Sequence, residues 1–108
     1  MSLQLPAPIE LYFDFENAHD VAALAQCFAS DAVVRDEGRT IAGLAAITEW
    51  KLATKAKYQH TIEPLAVSDK EGRTIVTGKV SGNFPGSPVN LDFVFELENG
   101  RIIALEIH

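Results

Sequence analysis

Few of the residues that commonly carry chemistry fall into a recognisable spacing in this chain of 108 residues. His19, His60 and His108 lie far apart, none of them in a His-x-x-x-His pair, and Cys27 is the single cysteine, so neither a metal-ligand pattern nor an internal disulfide can be built from them. The glycines form no Gly-x-Gly-x-x-Gly or Walker loop, which argues against nucleotide cofactors. No Gly-x-Ser-x-Gly elbow marks a serine nucleophile. The expectation is a chain without metal or cofactor, in which carboxylates and phenols are left to do any chemistry.

Asp36 is the candidate carboxylate. It ends a strand and shares side-chain parity with Ala32 and Val34, so an inward-facing strand would bring it to the edge of the core. Partial desolvation there raises a carboxyl group toward the range useful for proton abstraction. The competing reading is a solvated acidic turn, Asp36-Glu37, paired with Arg35 or Arg39. Tyr12 is the second candidate, because a phenol aimed into a cavity can donate to a developing oxyanion, although packing alone explains it as well. Trp50, Tyr58 and Phe84 are candidate walls of an apolar pocket, against the plainer reading that aromatics at helical or strand spacing are core. His60 reads as an exposed or hydrogen-bonded histidine rather than an acid or base.

The elements that must position these residues change period near Tyr58, from helical spacing to strand alternation. A first helix runs from Pro6 or Pro8 to about Glu16, with Ile9, Leu11, Tyr12, Phe13 and Phe15 apolar on more than one side. Asp20 is a natural N-cap for a second helix in which Val21, Leu24, Cys27 and Phe28 share a face, ended by Ser30 and Asp31; Cys27 then reads as a structural thiol. Ala32 to Asp36 is a short strand, Glu37-Gly38-Arg39 a turn before Thr40 to Ala42, and Gly43 introduces a third helix. There Leu44, Ile47, Trp50, Thr54 and Tyr58 share one side, and Lys51, Lys55 and Lys57 suit the C-terminal half of the helix dipole. Thr61 to Val67, Thr74 to Phe84, Val89 to Leu97 and Arg101 to Ile107 read as hairpin-connected strands. Leu91, Phe93, Phe95 and Leu97 make one apolar face, and Ile103, Leu105 and Ile107 another. Helices followed by an antiparallel meander indicate an α+β layer, not a βαβ nucleotide-binding unit.

Nine Lys and Arg against fifteen Asp and Glu give a net charge of -6, which argues against gripping a phosphate backbone or an anionic membrane. Met1 to Pro8 lacks a charged segment followed by an apolar run, and no stretch approaches the roughly 18 apolar residues of a membrane span, so the cytoplasm is the default expectation. A chain this short buries only roughly 60–70% of its unfolded surface, so any cavity must share its walls with the core.

The two-helix opening, the stretch from Cys27 to Asp36 (CFASDAVVRD), the run Ile41 to Ile47 (IAGLAAI) entering a helix with Trp50, and the closing Glu98-Asn99-Gly100-Arg101-Ile102 turn resemble the nuclear transport factor 2-like superfamily, in particular its SnoaL-like and ketosteroid isomerase-like branches. The resemblance implies N-terminal helices packed in the concave face of a curved antiparallel sheet, a cone-shaped, cystatin-like roll with an apolar pocket, as one SnoaL-like domain over 1–108 and usually as a homodimer. It places Asp36 at the isomerase branch's general base and Tyr12 at its oxyanion-binding tyrosine. The branch's second oxyanion acid falls at Phe93, with Asp92 adjacent but pointing to the opposite face. Glu37 stands where the isomerase motif usually has proline. The leading expectation is an apolar small molecule held in the cone by Trp50, Tyr58, Phe84 and Phe93, and proton abstraction next to a carbonyl, of isomerase or cyclase type. The alternative is a non-catalytic ligand-binding or dimerisation module.

Overall fold

Helix α1 (Ala7–Asn17) opens at Pro6 with Pro8 in its first turn, where a missing N–H costs nothing. The computed structural model describes residues 4–108, so Met1 to Leu3 of the segment read for targeting signals lie outside the described residues. Ile9, Tyr12, Phe13 and Glu16 are the buried positions of α1. Their i, i+3, i+4, i+7 spacing puts all four on one stripe, three apolar and one charged.

Helix α2 (Val21–Ala25) is capped by the Asp20 carboxylate, which accepts from the Ala23 N–H at 3.1 Å. It is shorter than its pattern suggests. The chain turns at Gln26 and Cys27, and β1 (Phe28–Asp36) begins where Ser30 and Asp31 were expected to end a helix. Pairing with the last strand wins over helical spacing here: Cys27 O accepts from Ile102 N at 2.8 Å, and Phe28 lies opposite Ile102. Cys27 is buried at this junction, not on a helix face.

Strand β2 (Arg39–Ala42) returns antiparallel to β1 through Glu37 and Gly38, both at positive φ (52° and 74°). Two central residues of this kind make a type I′ hairpin turn and fix Asp36 opposite Arg39 at the end of β1. Helix α3 (Leu44–Tyr58) follows, and β3 (Thr61–Lys70), β4 (Arg73–Ser81), β5 (Val89–Glu98) and β6 (Arg101–Ile107) complete a six-stranded sheet in the order β2-β1-β6-β5-β4-β3. The meander β3 to β6 is antiparallel, whereas β1 joins β6 in parallel, a long-range pairing no local pattern announces. The result is the expected α+β arrangement of N-terminal helices and curved sheet.

Two boundaries differ in ways that matter for the cavity. On β6, Leu105 and Ile107 keep the expected inward face, opposite Phe95 and Phe93, but Ile102 replaces Ile103 on it, because Ile103 is an extra residue between the pairs Leu97–Ile102 and Glu96–Ala104. Strand β4 ends at Ser81, so Phe84 belongs to the loop before β5. Gly82 explains that end: a Cβ there would come within 2.8 Å of Tyr58 O and 2.9 Å of His60 Cβ, while Asn83 N donates to Tyr58 O at 2.8 Å. Only glycine lets this loop close on the α3–β3 connection.

The core is an aromatic lattice between α1 and the sheet. The Tyr12 ring meets Phe13, Phe28 and Phe95 edge-on at 5.2, 6.0 and 5.4 Å, and Phe13 meets Phe93 at 5.5 Å. The Asn17 side chain fastens the end of α1 to β3 by donating to Ile62 O (2.8 Å) and accepting from Ile62 N (2.7 Å). Gly82→Ala is expected to cost about 1–3 kcal/mol of stability by overpacking; chemical denaturation checks this, and an unchanged unfolding midpoint would refute the close-approach argument.

Candidate active site

A cavity of about 360 Å³ opens between α3, the end of β1 and the inner face of β3 to β6. Its walls are largely apolar, with Trp50, Tyr58, Ile62, Phe84, Leu91 and Phe93 among them. The structure thus gathers all four residues named as pocket walls from sequence around one space. Tyr58 and Phe84 meet edge-on at 5.8 Å and close one side. Against this apolar surface stand a few polar groups: Asp36, Lys51, Thr54 and His60, with Glu37 at the rim.

Asp36 is half-buried at the end of β1, on the parity set by the fully buried Ala32 and Val34. Its Oδ2 accepts from Trp50 Nε1 at 3.3 Å. Partial burial and the neighbouring Glu37 charge push its carboxyl above the ordinary aspartate value of 3.8, against the opposing pull of the Trp50 hydrogen bond, Lys51 and Arg39. The carboxylate is therefore neither a fully solvated turn residue nor a buried ion pair.

Phe93 is buried and lines the cavity, whereas Asp92 is exposed and accepts from Thr77 Oγ1 at 2.9 Å on the outer face. The β4–β5 pairing is regular from Val80–Val89 to Thr74–Phe95, so no bulge turns Asp92 inward. Tyr12 is fully buried and is not a wall of the cavity. Its hydroxyl meets the ammonium of Lys51, which donates to it over a long 3.4 Å, and Lys51 is the group that reaches the cavity. Burial, followed by the Glu16 and Asp36 charges, pushes the Tyr12 phenol well above its ordinary value, so it remains protonated.

Behind this wall lies a charged cluster that sequence reasoning missed. The Glu16 carboxylate, wholly buried, is contacted by Lys51 Nζ at 2.8 Å, Lys55 Nζ at 2.9 Å and His60 Nε2 at 2.6 Å. Lys55 also donates to the His60 carbonyl. Lys51 and Lys55, one turn apart in the C-terminal half of α3, face inward and are buried, and His60 takes the hydrogen-bonded of its two expected forms, buried and bound to Glu16. The signal for Glu16 was its place on the stripe with Ile9, Tyr12 and Phe13, and for the lysines their i, i+4 spacing beside Ile47 and Trp50. Among the described residues, no group of three or more His, Cys, Asp or Glu side chains could hold a metal ion.

Burial alone would raise the Glu16 carboxyl, but the His60 hydrogen bond and the two lysines overcome it and hold Glu16 well below the usual carboxylate range. A carboxylate depressed in the folded state stabilises the fold above its ordinary value of 4.5 and loses that contribution as pH falls through the folded value. Glu16→Gln, which strands two buried ammonium groups, is expected to lose about 3–5 kcal/mol. Denaturation across acidic pH checks both points: the variant should lack the Glu16 part of the acid dependence, and equal stability of the two proteins at neutral pH would refute the assignment.

A family model described as the SnoaL-like domain matches residues 9–105. Among solved structures, the chain is 43% identical to a Sinorhizobium meliloti protein proposed to be a polyketide cyclase, covering 96% of this chain and 95% of that one with a TM-score of 0.92. A Catenulispora acidiphila protein with a ketosteroid isomerase-like fold, crystallised with trimethylamine, is 17% identical over 97% of this chain and 86% of its own, with a TM-score of 0.84. An epoxide hydrolase/cyclase-like enzyme with a role in pyran ring formation in the polyether salinomycin is 23% identical over 94% and 86%, with a TM-score of 0.81. The last two likenesses show the fold alone. Among curated proteins none matches.

Proposed function

The chain belongs to the SnoaL-like domain family, and from that premise we propose that its cavity binds an apolar carbonyl compound and that Asp36 abstracts a proton from the carbon next to the carbonyl. The observation that carries this reading is the meeting of one half-buried carboxylate with an apolar cavity wide enough for a small organic molecule. With Oδ2 held by Trp50, the other oxygen of Asp36 is left to take the proton. The electron pair of the broken C–H bond moves into the new C=C bond, and the carbonyl oxygen becomes an enolate oxygen. Return of the proton at another carbon gives an isomerisation, and attack of the enolate carbon on a second carbonyl gives an aldol-type ring closure. The 43% identity to a protein proposed to be a polyketide cyclase supports ring closure. Tyr12, which meets Lys51 and not the cavity, is in this reading a positioning residue.

A second reading, a domain that binds its ligand without turnover, draws on Phe93, the apolar residue where the isomerase branch has an acid.

Deuterium exchange into enolisable ketones in D2O separates the two. The wild-type protein is expected to catalyse exchange, and Asp36→Asn, which retains an acceptor for Trp50, to lose it by at least about 100-fold with little change in melting temperature. Exchange that is absent or independent of Asp36 would leave the binding-only reading. Because the base works ionised, the rate should rise with pH through a value above 3.8. Trp50→Phe removes a bond that favours the carboxylate, so the acid limb should move to higher pH; a downward move would contradict the role given to that bond.

A further inference from the structure

The cavity holds one charged donor that the proposed proton abstraction does not use. Lys51 Nζ is fixed from behind by Glu16 Oε2 at 2.8 Å and by the longer contact to the Tyr12 hydroxyl, and it lies 4.2 Å from the centre of the Trp50 ring. Those contacts engage two of its three N–H donors, and among the described residues no third acceptor bonds to it. The same side chain lines the cavity that Asp36 lines.

The chemistry of the remaining donor says what it would bind. An ammonium N–H can only donate, so its partner is an acceptor oxygen, and an anionic one makes the stronger, charge-assisted bond. Lys55 donates to Glu16 and to the His60 carbonyl and is not a wall of the cavity, while His60 is a wall with its Nε2 turned to Glu16. The uncommitted charged donor at the cavity is therefore Lys51, beside the indole that holds Asp36. We infer that Lys51 is the oxyanion-binding residue of this cavity, and that its ligands are compounds bearing an oxygen that is anionic or becomes so, an enolate or a phenolate, on an otherwise apolar frame.

This inference rests on the proposed carbonyl substrate for the identity of that oxygen. When Asp36 takes the proton, its negative charge vanishes and the same charge appears on the carbonyl oxygen. Burial lowers the Lys51 ammonium from its ordinary value while Glu16 opposes that, and an ammonium so desolvated and pinned stabilises the new charge without reorganising. The task that the isomerase-like resemblance gives to an acid at Phe93 then falls to a lysine on α3, and Phe93 keeps the wall apolar.

The test uses 4-nitrophenol, whose absorbance shows directly how much of the bound molecule is ionised, and neutral 4-nitroanisole as its partner in shape. In slightly acidic buffer the wild-type protein is expected to hold the phenol as phenolate, and to bind phenolate at least about tenfold more tightly than the anisole, as a charge-assisted hydrogen bond implies. Lys51→Met should reduce that ratio to about one. The double variant Glu16→Gln, Lys51→Met removes the Lys51 ammonium together with the carboxylate it pairs, leaves Lys55 its bond to the His60 carbonyl, and gives the same reading if the single variant does not fold. Lys55→Met also takes one ammonium partner from Glu16, which keeps Lys51 and His60, yet should keep the ratio within about twofold of wild type. A neutral phenol in the wild-type cavity, a retained ratio in Lys51→Met, or an equal loss in Lys55→Met would each overturn the inference. Phenolate held at Lys51 without any Asp36-dependent exchange would retire the proton-abstraction reading and leave the oxyanion site standing.

Discussion

The carboxylate of Glu16 is where the helices and the sheet are tied to one another. It comes from α1, its ammonium partners from α3, and its imidazole partner from the residue before β3. An unpaired charge at that depth would cost several kcal/mol, so the three segments satisfy one another in one arrangement or not at all. The cluster is thus weak evidence of added stability and stronger evidence of a fixed geometry. Tyr12, one turn before Glu16, places its hydroxyl on the same ammonium, so α1 controls Lys51 twice.

That constraint decides what the cavity is. The apolar contacts of Tyr12 with Phe13, Phe28 and Phe95 fill the space between α1 and the sheet, and the unfilled part of the cone lies under α3, where Trp50 and Lys51 face Asp36. A domain of this size has no room for a core separate from a site. Phe93 touches Phe13 on one side and lines the cavity on the other, and Trp50 both bounds the cavity and holds the Asp36 carboxylate. Packing and chemistry use the same side chains, so a change in one propagates to the other.

Much of the fold is legible in short-range pattern. The hairpins follow from Glu37-Gly38, Glu71-Gly72 and Asn99-Gly100, each a pair at positive φ between paired strand ends. The strand alternation of Leu91, Phe93 and Phe95 holds because β5 pairs regularly there with β4. Reading fails where the decisive partner is distant: Cys27 and Phe28 leave the helical pattern because β6 claims them, and the inward face of β6 switches at Ile103 because an extra residue is accommodated there.

For the site the division is sharper. Parity with Ala32 and Val34 at a strand end, and the apolarity of Trp50, Tyr58, Phe84 and Phe93, are local properties legible in the chain, whereas the inward turn of that strand face over a solvated acidic turn is not. The chain also carries Glu16 on the buried stripe of α1 and Lys51 and Lys55 one turn apart on α3, but each alone reads as an ordinary surface charge. Their burial against one another, and the reach of Lys51 rather than Tyr12 to the cavity, come from the packing of α1 on α3 and the start of β3. The physical reason is that a buried charge is tolerated only with its partner, and here the partners lie some thirty-five to forty-five residues away along the chain, beyond any periodicity.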